Sequence, residues 1–170
     1  MARTTLSSAA LKAFFSQESS DYPILLLTFT HESLSDPILI STDSTQRISE
    51  NATRIVYGTK SRSKNFIYYP LELSLPLQDE SEAPKATLKL DNVGRDLVPT
   101  IRSLQSPPYI TIEVVMSCSP DVVEITFPDF EILKFEYDAT TVSCDLVLDQ
   151  FAAESFPAGT FNSDDFGGMF

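Results

Sequence analysis

Leu71-Glu72-Leu73-Ser74-Leu75 and Ala86-Thr87-Leu88-Lys89-Leu90 are the two stretches that decide the fold. In both, apolar side chains stand on alternate residues, and an extended chain puts such residues on one face. Leu71, Leu73 and Leu75 therefore line one side of a strand. Ala86, Leu88 and Leu90 line the inward side of a second, with Thr87 and Lys89 outward. Pro76 ends the first run, because it fixes φ and has no N–H for the ladder. An acidic connection, Asp79, Glu80, Ser81 and Glu82, closes at Pro84. Asp91 and Asn92 then offer a cap to a helical stripe of Val93, Leu97, Ile101 and Leu104. Pro99 fits best if the regular helix starts at Asp96, since a proline in the first turn gives up no intrahelical bond. A two-stranded unit with one apolar face does not stand alone in water, so the rest of the chain must cover it.

Upstream, Ile24-Leu25-Leu26-Leu27-Thr28-Phe29-Thr30 reads as a buried strand, turned at Asp36-Pro37 into a return strand at Ile38-Leu39-Ile40. Residues 42–53 are polar. Arg54-Ile55-Val56-Tyr57 reads as a short strand ended by Gly58, and Lys60, Arg62 and Lys64 as the basic tip of an exposed hairpin rather than a phosphate grip. A first helix is expected over residues 4–15, with Leu6, Ala10, Ala13 and Phe14 on its inward face.

Downstream, Ile110, Ile112, Val114 and Met116 alternate against Thr111, Glu113 and Val115. A turn is expected at Ser119-Pro120-Asp121, followed by inward Val123, Ile125 and Phe127. The parity then changes from Phe130 and Ile132 to Leu133, Phe135 and Tyr137, which predicts a β-bulge near Ile132. Val142, Cys144, Leu146 and Leu148 form the last strand of an antiparallel meander. Cys118 and Cys144 both continue inward parities and read as buried free thiols, with a disulfide as the alternative.

Beyond Asp149 the pattern changes. Phe151, Phe156, Phe161 and Phe166 recur every five residues, Phe170 closes the chain, and Pro157, Gly159, Gly167 and Gly168 lie between. Five is neither a helix nor a strand period, so this is an extended arm with aromatic anchors, and these five residues are the interface candidates. The arm is expected to dock on a neighbouring subunit or protein rather than on its own core. The fold class is thus mainly β: an antiparallel β-sandwich or barrel with one mid-chain helix, a short N-terminal helix and an extended C-terminal arm. The expected organisation is an N-terminal helical arm (1–20), a β-sandwich domain (21–149) and a Phe-rich docking arm (150–170).

The 170 residues suffice for one domain with a core. No stretch approaches the roughly 20 apolar residues of a membrane helix. Met1-Ala2-Arg3-Thr4 lacks the apolar region of a secretion signal, so the protein is expected to stay in the producing cell until assembled. The net charge is −12, unevenly spread. Through Arg102 eleven bases face twelve acids, whereas from Ser103 onward Lys134 alone opposes twelve. Such a surface repels free nucleic acid or simply solubilises the chain.

Residues that carry chemistry are few. His31, the single histidine, follows a strand and reads as a loop tip. There is no Gly-x-Ser-x-Gly elbow, no Cys/His set with zinc spacing, no phosphate-cradling glycine loop and no calcium-loop pattern in the sequence. Glu131 and Glu136 make a carboxylate pair, but twenty-four acids make many by chance. The expectation is a non-enzyme with no catalytic, cofactor-binding or metal-ligating residues.

Taken together, Tyr69-Pro70-Leu71-Glu72-Leu73-Ser74-Leu75-Pro76, Leu88-Lys89-Leu90-Asp91-Asn92-Val93, Arg102-Ser103-Leu104, Ser119-Pro120-Asp121, Tyr137-Asp138-Ala139 and Phe156-Pro157-Ala158-Gly159-Thr160-Phe161 resemble a family of minor tail proteins of long-tailed bacteriophages and prophages. That family is known as a domain of unknown function, encoded near the tape measure gene. Pro99 and Gly167-Gly168 depart from its usual pattern. The resemblance implies a structural component of the virion tail tip, assembled in the host cytoplasm: a ring protein like the distal tail protein, joining tail tube to hub. Its implied partners are itself in a hexameric ring, the tail tube protein, the tail hub protein and the tape measure protein. No membrane is involved, and DNA only passes through the lumen. A host-surface or glycan-binding module at the tail tip is the alternative.

Overall fold

The computed structural model describes residues 6–50, 55–74, 85–91, 106–138 and 141–148. The expected mid-chain helix, the acidic connection before Pro84 and the arm with Phe151, Phe156, Phe161, Phe166 and Phe170 lie outside these residues. Among the described residues one helix, α1 (Ser8–Phe15), accompanies ten strands. They are β1 (Pro23–Thr30), β2 (Ile38–Ser41), β3 (Gln46–Glu50), β4 (Ile55–Ser61), β5 (Lys64–Tyr68), β6 (Leu71–Ser74), β7 (Lys85–Asp91), β8 (Tyr109–Met116), β9 (Ser119–Tyr137) and β10 (Thr141–Leu148). The fold is mainly β, as expected.

All ten belong to one curled sheet, ordered β3-β4-β5-β2-β1-β8-β9-β10-β7-β6. The alternating pair pairs as its pattern requires, with Leu71 opposite Leu90 and Leu73 opposite Leu88. β1 and β2 form the expected antiparallel hairpin, and β8, β9 and β10 the expected meander. One pairing departs from the antiparallel plan. β2 and β5 run parallel, with Ile40 beside Ile67. They can do so because β3 and β4 intervene in the chain, and a parallel pair needs such a crossover.

The sheet buries apolar side chains on both faces. On one face Leu27, Phe29, Ile40, Leu88, Leu90, Ile110, Ile112, Phe130, Val142, Cys144 and Leu146 make the larger core. On the other, Ile24, Leu26, Phe66 and Val115 make a smaller one, with Leu39 and Val123 against it. This corrects the expectation that Val115 points outward: β8 is covered on both sides where it pairs with the start of β1. It also explains why residues 24–27 are apolar without alternation, since a strand buried on both faces reads as a continuous run.

β9 is 19 residues long and bends to serve two partners. It pairs with β8 along its first part and with β10 along its second. Between Asp145 and Leu146 its partner residues jump from Lys134 to Ile132, so Leu133 is the extra residue of a bulge, as the parity change predicts. A second bulge falls at Glu124, between the Val114–Ile125 and Val115–Val123 pairs. Each extra residue kinks the strand and increases its twist.

Four local expectations need correction. The β8–β9 turn is at Ser117 and Cys118, not at residues 119–121, so Cys118 is exposed rather than inward. Ser119 and Pro120 already belong to β9. Gly58 does not end its strand; β4 continues to Ser61, and a Cβ at Gly58 would stand 1.9 Å from the Phe66 carbonyl oxygen. The glycine is there because two backbones approach closely. β3, Gln-Arg-Ile-Ser-Glu, lies in the stretch read only as polar; apart from the partly buried Ile48 it is exposed, and one apolar residue gives no alternation to detect. Lastly, α1 buries Ala10 but leaves Leu11, Phe14 and Phe15 exposed, so Phe14 is not on the inward face. The helix is held at its N-terminus, where the Ser7 side chain accepts from the Ala10 N–H and the Ser7 N–H donates to Glu124 Oε2 at 2.7 Å.

Candidate functional site

The ends of β1, β8 and β9 form a row across the sheet. Thr30 pairs with Tyr109, and Tyr109 pairs with Glu131. Residues opposite one another on neighbouring strands share a face, so Tyr109 stands between a hydroxyl and a carboxylate on a rigid platform. Its ring is about half exposed, at 49%. His31 and Glu32, following β1, and Ser106 and Pro107, preceding β8, complete an open cleft of about 510 Å³.

His31 is fixed by two hydrogen bonds. Its Nδ1 accepts from the Ser33 N–H at 2.9 Å, and its Nε2 lies 2.7 Å from Ser106 Oγ. A ring nitrogen that accepts from a backbone N–H carries no proton, so in the neutral ring the proton is on Nε2 and is donated to the serine hydroxyl. A serine nucleophile needs the reverse polarity, with the lone pair on Nε2 facing the hydroxyl and Nδ1–H donating to a carboxylate. The pair as built ties the β1–β2 connection to the start of β8. The cleft can stack a flat or apolar surface on Tyr109 and exchange hydrogen bonds through Thr30, Ser106, Glu32 and Glu131.

The sequence profile of a domain of unknown function, DUF1833, matches residues 9–161. The chain belongs to the DUF1833 family. The match runs from α1 through all ten strands and into the segment after β10. No curated protein matches the chain.

The basic tip of this DUF1833 sheet is a docked hairpin. Arg62 and Ser63 form the two-residue turn of β4–β5 with φ of 49° and 64°, the left-handed conformation that tight hairpins use. The Arg62 guanidinium forks onto Glu113 of β8, Nη1 to Oε1 at 2.9 Å and Nη2 to Oε2, while the Arg62 backbone N–H donates to Asp121 Oδ1 at 2.6 Å. Ser61 Oγ donates to the Pro120 carbonyl at 2.7 Å. The hydrogen bonds donated to Glu113 raise the Arg62 pKa, against some desolvation, so the guanidinium stays charged. This positive charge is paired with Glu113 and lies in the field of Asp121, which argues against a phosphate grip at the tip. It also answers part of the acidic excess of the second half, as Lys134 does for Glu136.

Asp43 gathers a polar knot beside the smaller core. Its carboxylate accepts from Tyr22 Oη (3.1 Å), the Thr45 N–H (3.2 Å) and Thr45 Oγ1 (2.7 Å), and its N–H donates to Ser41 Oγ. A buried carboxylate this well satisfied is a structural brace. Among the described residues no group of three or more His, Cys, Asp or Glu is placed to hold a metal ion. Glu131 and Glu136 are not brought together: Glu131 lines the cleft with Tyr109, and Glu136 pairs with Lys134. Cys118 and Cys144 are both free thiols, and burial pushes Cys144 up to about 12. No sequence pattern announced the Thr30–Tyr109–Glu131 row, because it depends on strand register rather than on spacing along the chain.

Proposed function

We propose that this DUF1833 protein is a structural component of a long-tailed phage tail tip, a ring subunit resembling the distal tail protein and joining the tail tube to the hub. The observation that carries the proposal is where the resembling motifs fall. Residues 71–74 are β6, residues 88–91 lie in β7, Ser119-Pro120-Asp121 opens β9 and Tyr137 closes it. The motif residues that lie among the described ones thus fall largely on the strands of one sheet, which supports a family held together by its fold rather than by a catalytic constellation. The inverted polarity of the His31–Ser106 pair supports a role without catalysis.

The partners are a second copy of the chain, the tube protein, the hub protein and the tape measure protein. Carboxylates of the second half that face the lumen would let DNA slide without adhering. Imaging of purified particles by electron microscopy tests the proposal. A closed ring of this chain between tube and hub is expected, and absence of the chain from finished particles would overturn it. His31→Ala should assemble and support infection normally; intact but non-infectious particles would reopen the question of chemistry at His31.

The Tyr109 platform favours one second reading, a glycan-binding module at the tail tip. Tyr109→Ala is the discriminating variant. Lost adsorption to host cells with ring assembly intact would support glycan recognition over a purely structural role.

A further inference from the structure

The opposite end of the molecule, around the β8–β9 turn, carries a surface of a different kind. On α1, Leu11, Phe14 and Phe15 are exposed at 42%, 48% and 84%. Their spacing of three and four puts them on one stripe. Only Ala10 is fully buried against the body, so the helix turns its larger side chains to solvent. The bond from the Ser7 N–H to Glu124 fixes the helix on β9, and the backbone N–H of Tyr22, another half-exposed ring, donates to Ser117 Oγ of the turn at 3.1 Å. A helix that buries an alanine and exposes two phenylalanines is built to be covered.

The chain supplies a fitting occupant, and the topology says from which side it arrives. β10 ends at Leu148, which pairs with Phe130, and Phe130 pairs with Ile110 at the start of β8. The chain therefore leaves the sheet at the level of the Tyr109 cleft. α1 sits toward the other end of β8, near Met116, about 23 Å away for seven residues of strand. The twenty residues from Phe151 carry five phenylalanines and not one lysine or arginine. The described chain thus ends, before its Phe-rich segment, at the opposite end of the sheet from the acceptor helix, and a donor that starts at one end with an acceptor at the other suits a heterologous, head-to-tail contact.

We infer that the α1 stripe of Leu11, Phe14 and Phe15 receives the Phe-rich residues 151–170 of a second copy of this chain. Each subunit gives its C-terminal segment to one neighbour and takes that of the other, and a ring forms where the rotation closes. The inference rests on the self-assembly proposed above and names the surface that performs it.

Two complementary variants test it. An acceptor-dead chain carries Leu11→Ser, Phe14→Ser and Phe15→Ser, all at exposed positions; a donor-dead chain carries Phe156→Ser, Phe161→Ser and Phe166→Ser. Circular dichroism and thermal melts establish that each is folded, and light scattering after size exclusion gives the masses. The wild-type chain is expected to form a closed oligomer and each variant alone a monomer. An equimolar mixture should form heterodimers and stop at two, because one working surface of each kind remains. A synthetic peptide of residues 149–170 should bind the donor-dead chain and not the acceptor-dead one. Variants that still form the wild-type oligomer would overturn the inference while leaving ring assembly standing through another surface. A monomeric wild type would overturn both. Variants that lose several degrees of thermal stability and whose mixture stays monomeric would show that the segment folds back on its own helix, which also overturns it.

Discussion

Single residues differ most where the sequence suggested they were alike. Cys118 and Cys144 read as equivalent inward thiols, yet one sits in a two-residue turn and the other is sealed in the larger core. Parity along a strand says nothing about where the strand stops, and two residues of error at the turn exchanged inside for outside. The two thiols should react differently. Native protein is expected to label at Cys118 promptly and at Cys144 only on unfolding; prompt labelling of both would contradict the burial of Cys144. The buried thiol also gives stability a pH dependence. Its ordinary value is 9.0, and burial pushes it up to about 12. Above about pH 9 the unfolded chain loses this proton while the folded chain keeps it. Stability should therefore fall as pH rises through the window from 9 to 12, by about 1.4 kcal/mol per pH unit. Below pH 9 both states hold the proton and the contribution is flat. Cys144→Ala should flatten the alkaline part of urea midpoints measured from pH 8 to 10.5. An unchanged slope would assign the alkaline sensitivity to other groups.

At the scale of elements, the alternating strands were legible and the polar ones were not. β6, β7 and most of β8 and β10 show a clean alternation whose apolar parity faces the larger core, so residue type fixed both the strand and its inner face there. The Leu133 bulge was legible for the same reason, since the extra residue reverses the parity. β3 was not, because an exposed edge strand has no face to bury and its Arg47–Glu50 pair looks like any solvated segment. Gly58 was misread as a stop because glycine marks both turns and close backbone approaches. The two roles have different consequences on substitution. At a strand end Gly58→Ala would be nearly neutral. Inside β4 its new methyl would stand 1.9 Å from the Phe66 carbonyl oxygen, and backbone cannot rotate aside as a side chain does. Gly58→Ala is expected to separate β4 from β5 and cost about 3 kcal/mol or more. A chemical denaturation midpoint within error of wild type would return Gly58 to the role of a strand end. Of the candidate site, His31 stood out from the sequence, and Glu131 only as one carboxylate among many. Tyr109 and Glu131, far apart in the chain, meet through the β8–β9 register, which the bulges of β9 set and which no spacing reveals.

Across the described residues the ten strands make a single sheet with a core on each face, and the two cores share strands. β1 contributes Leu27 and Phe29 to the larger core and Ile24 and Leu26 to the smaller; β8 contributes Ile110 and Ile112 to one and Val115 to the other. A strand cannot leave one core without abandoning the second. The β4–β5 tip adds a further tie, since Arg62 bridges to Glu113 of β8 and to Asp121 of β9. Sequence alone could not assign two cores, because a two-sided strand such as β1 announces burial without saying what lies on either side. The consequence is cooperative unfolding despite the size disparity between the cores. Phe130 is fully buried in the larger core and Phe66 in the smaller. Truncating either to alanine leaves a cavity worth about 3–5 kcal/mol. With both cores in one cooperative unit, Phe66→Ala and Phe130→Ala should each move the one urea transition to lower concentration without splitting it. Far-ultraviolet circular dichroism and tyrosine fluorescence should report the same midpoint in each variant. Were the smaller core an independent unit, Phe66→Ala would produce an early partial transition in the tyrosine signal near Tyr57 and Tyr68, leaving most of the strand signal at the wild-type midpoint. Coincident, equally shifted curves in both variants are the expected result, because β1 and β8 cannot be unfolded by halves.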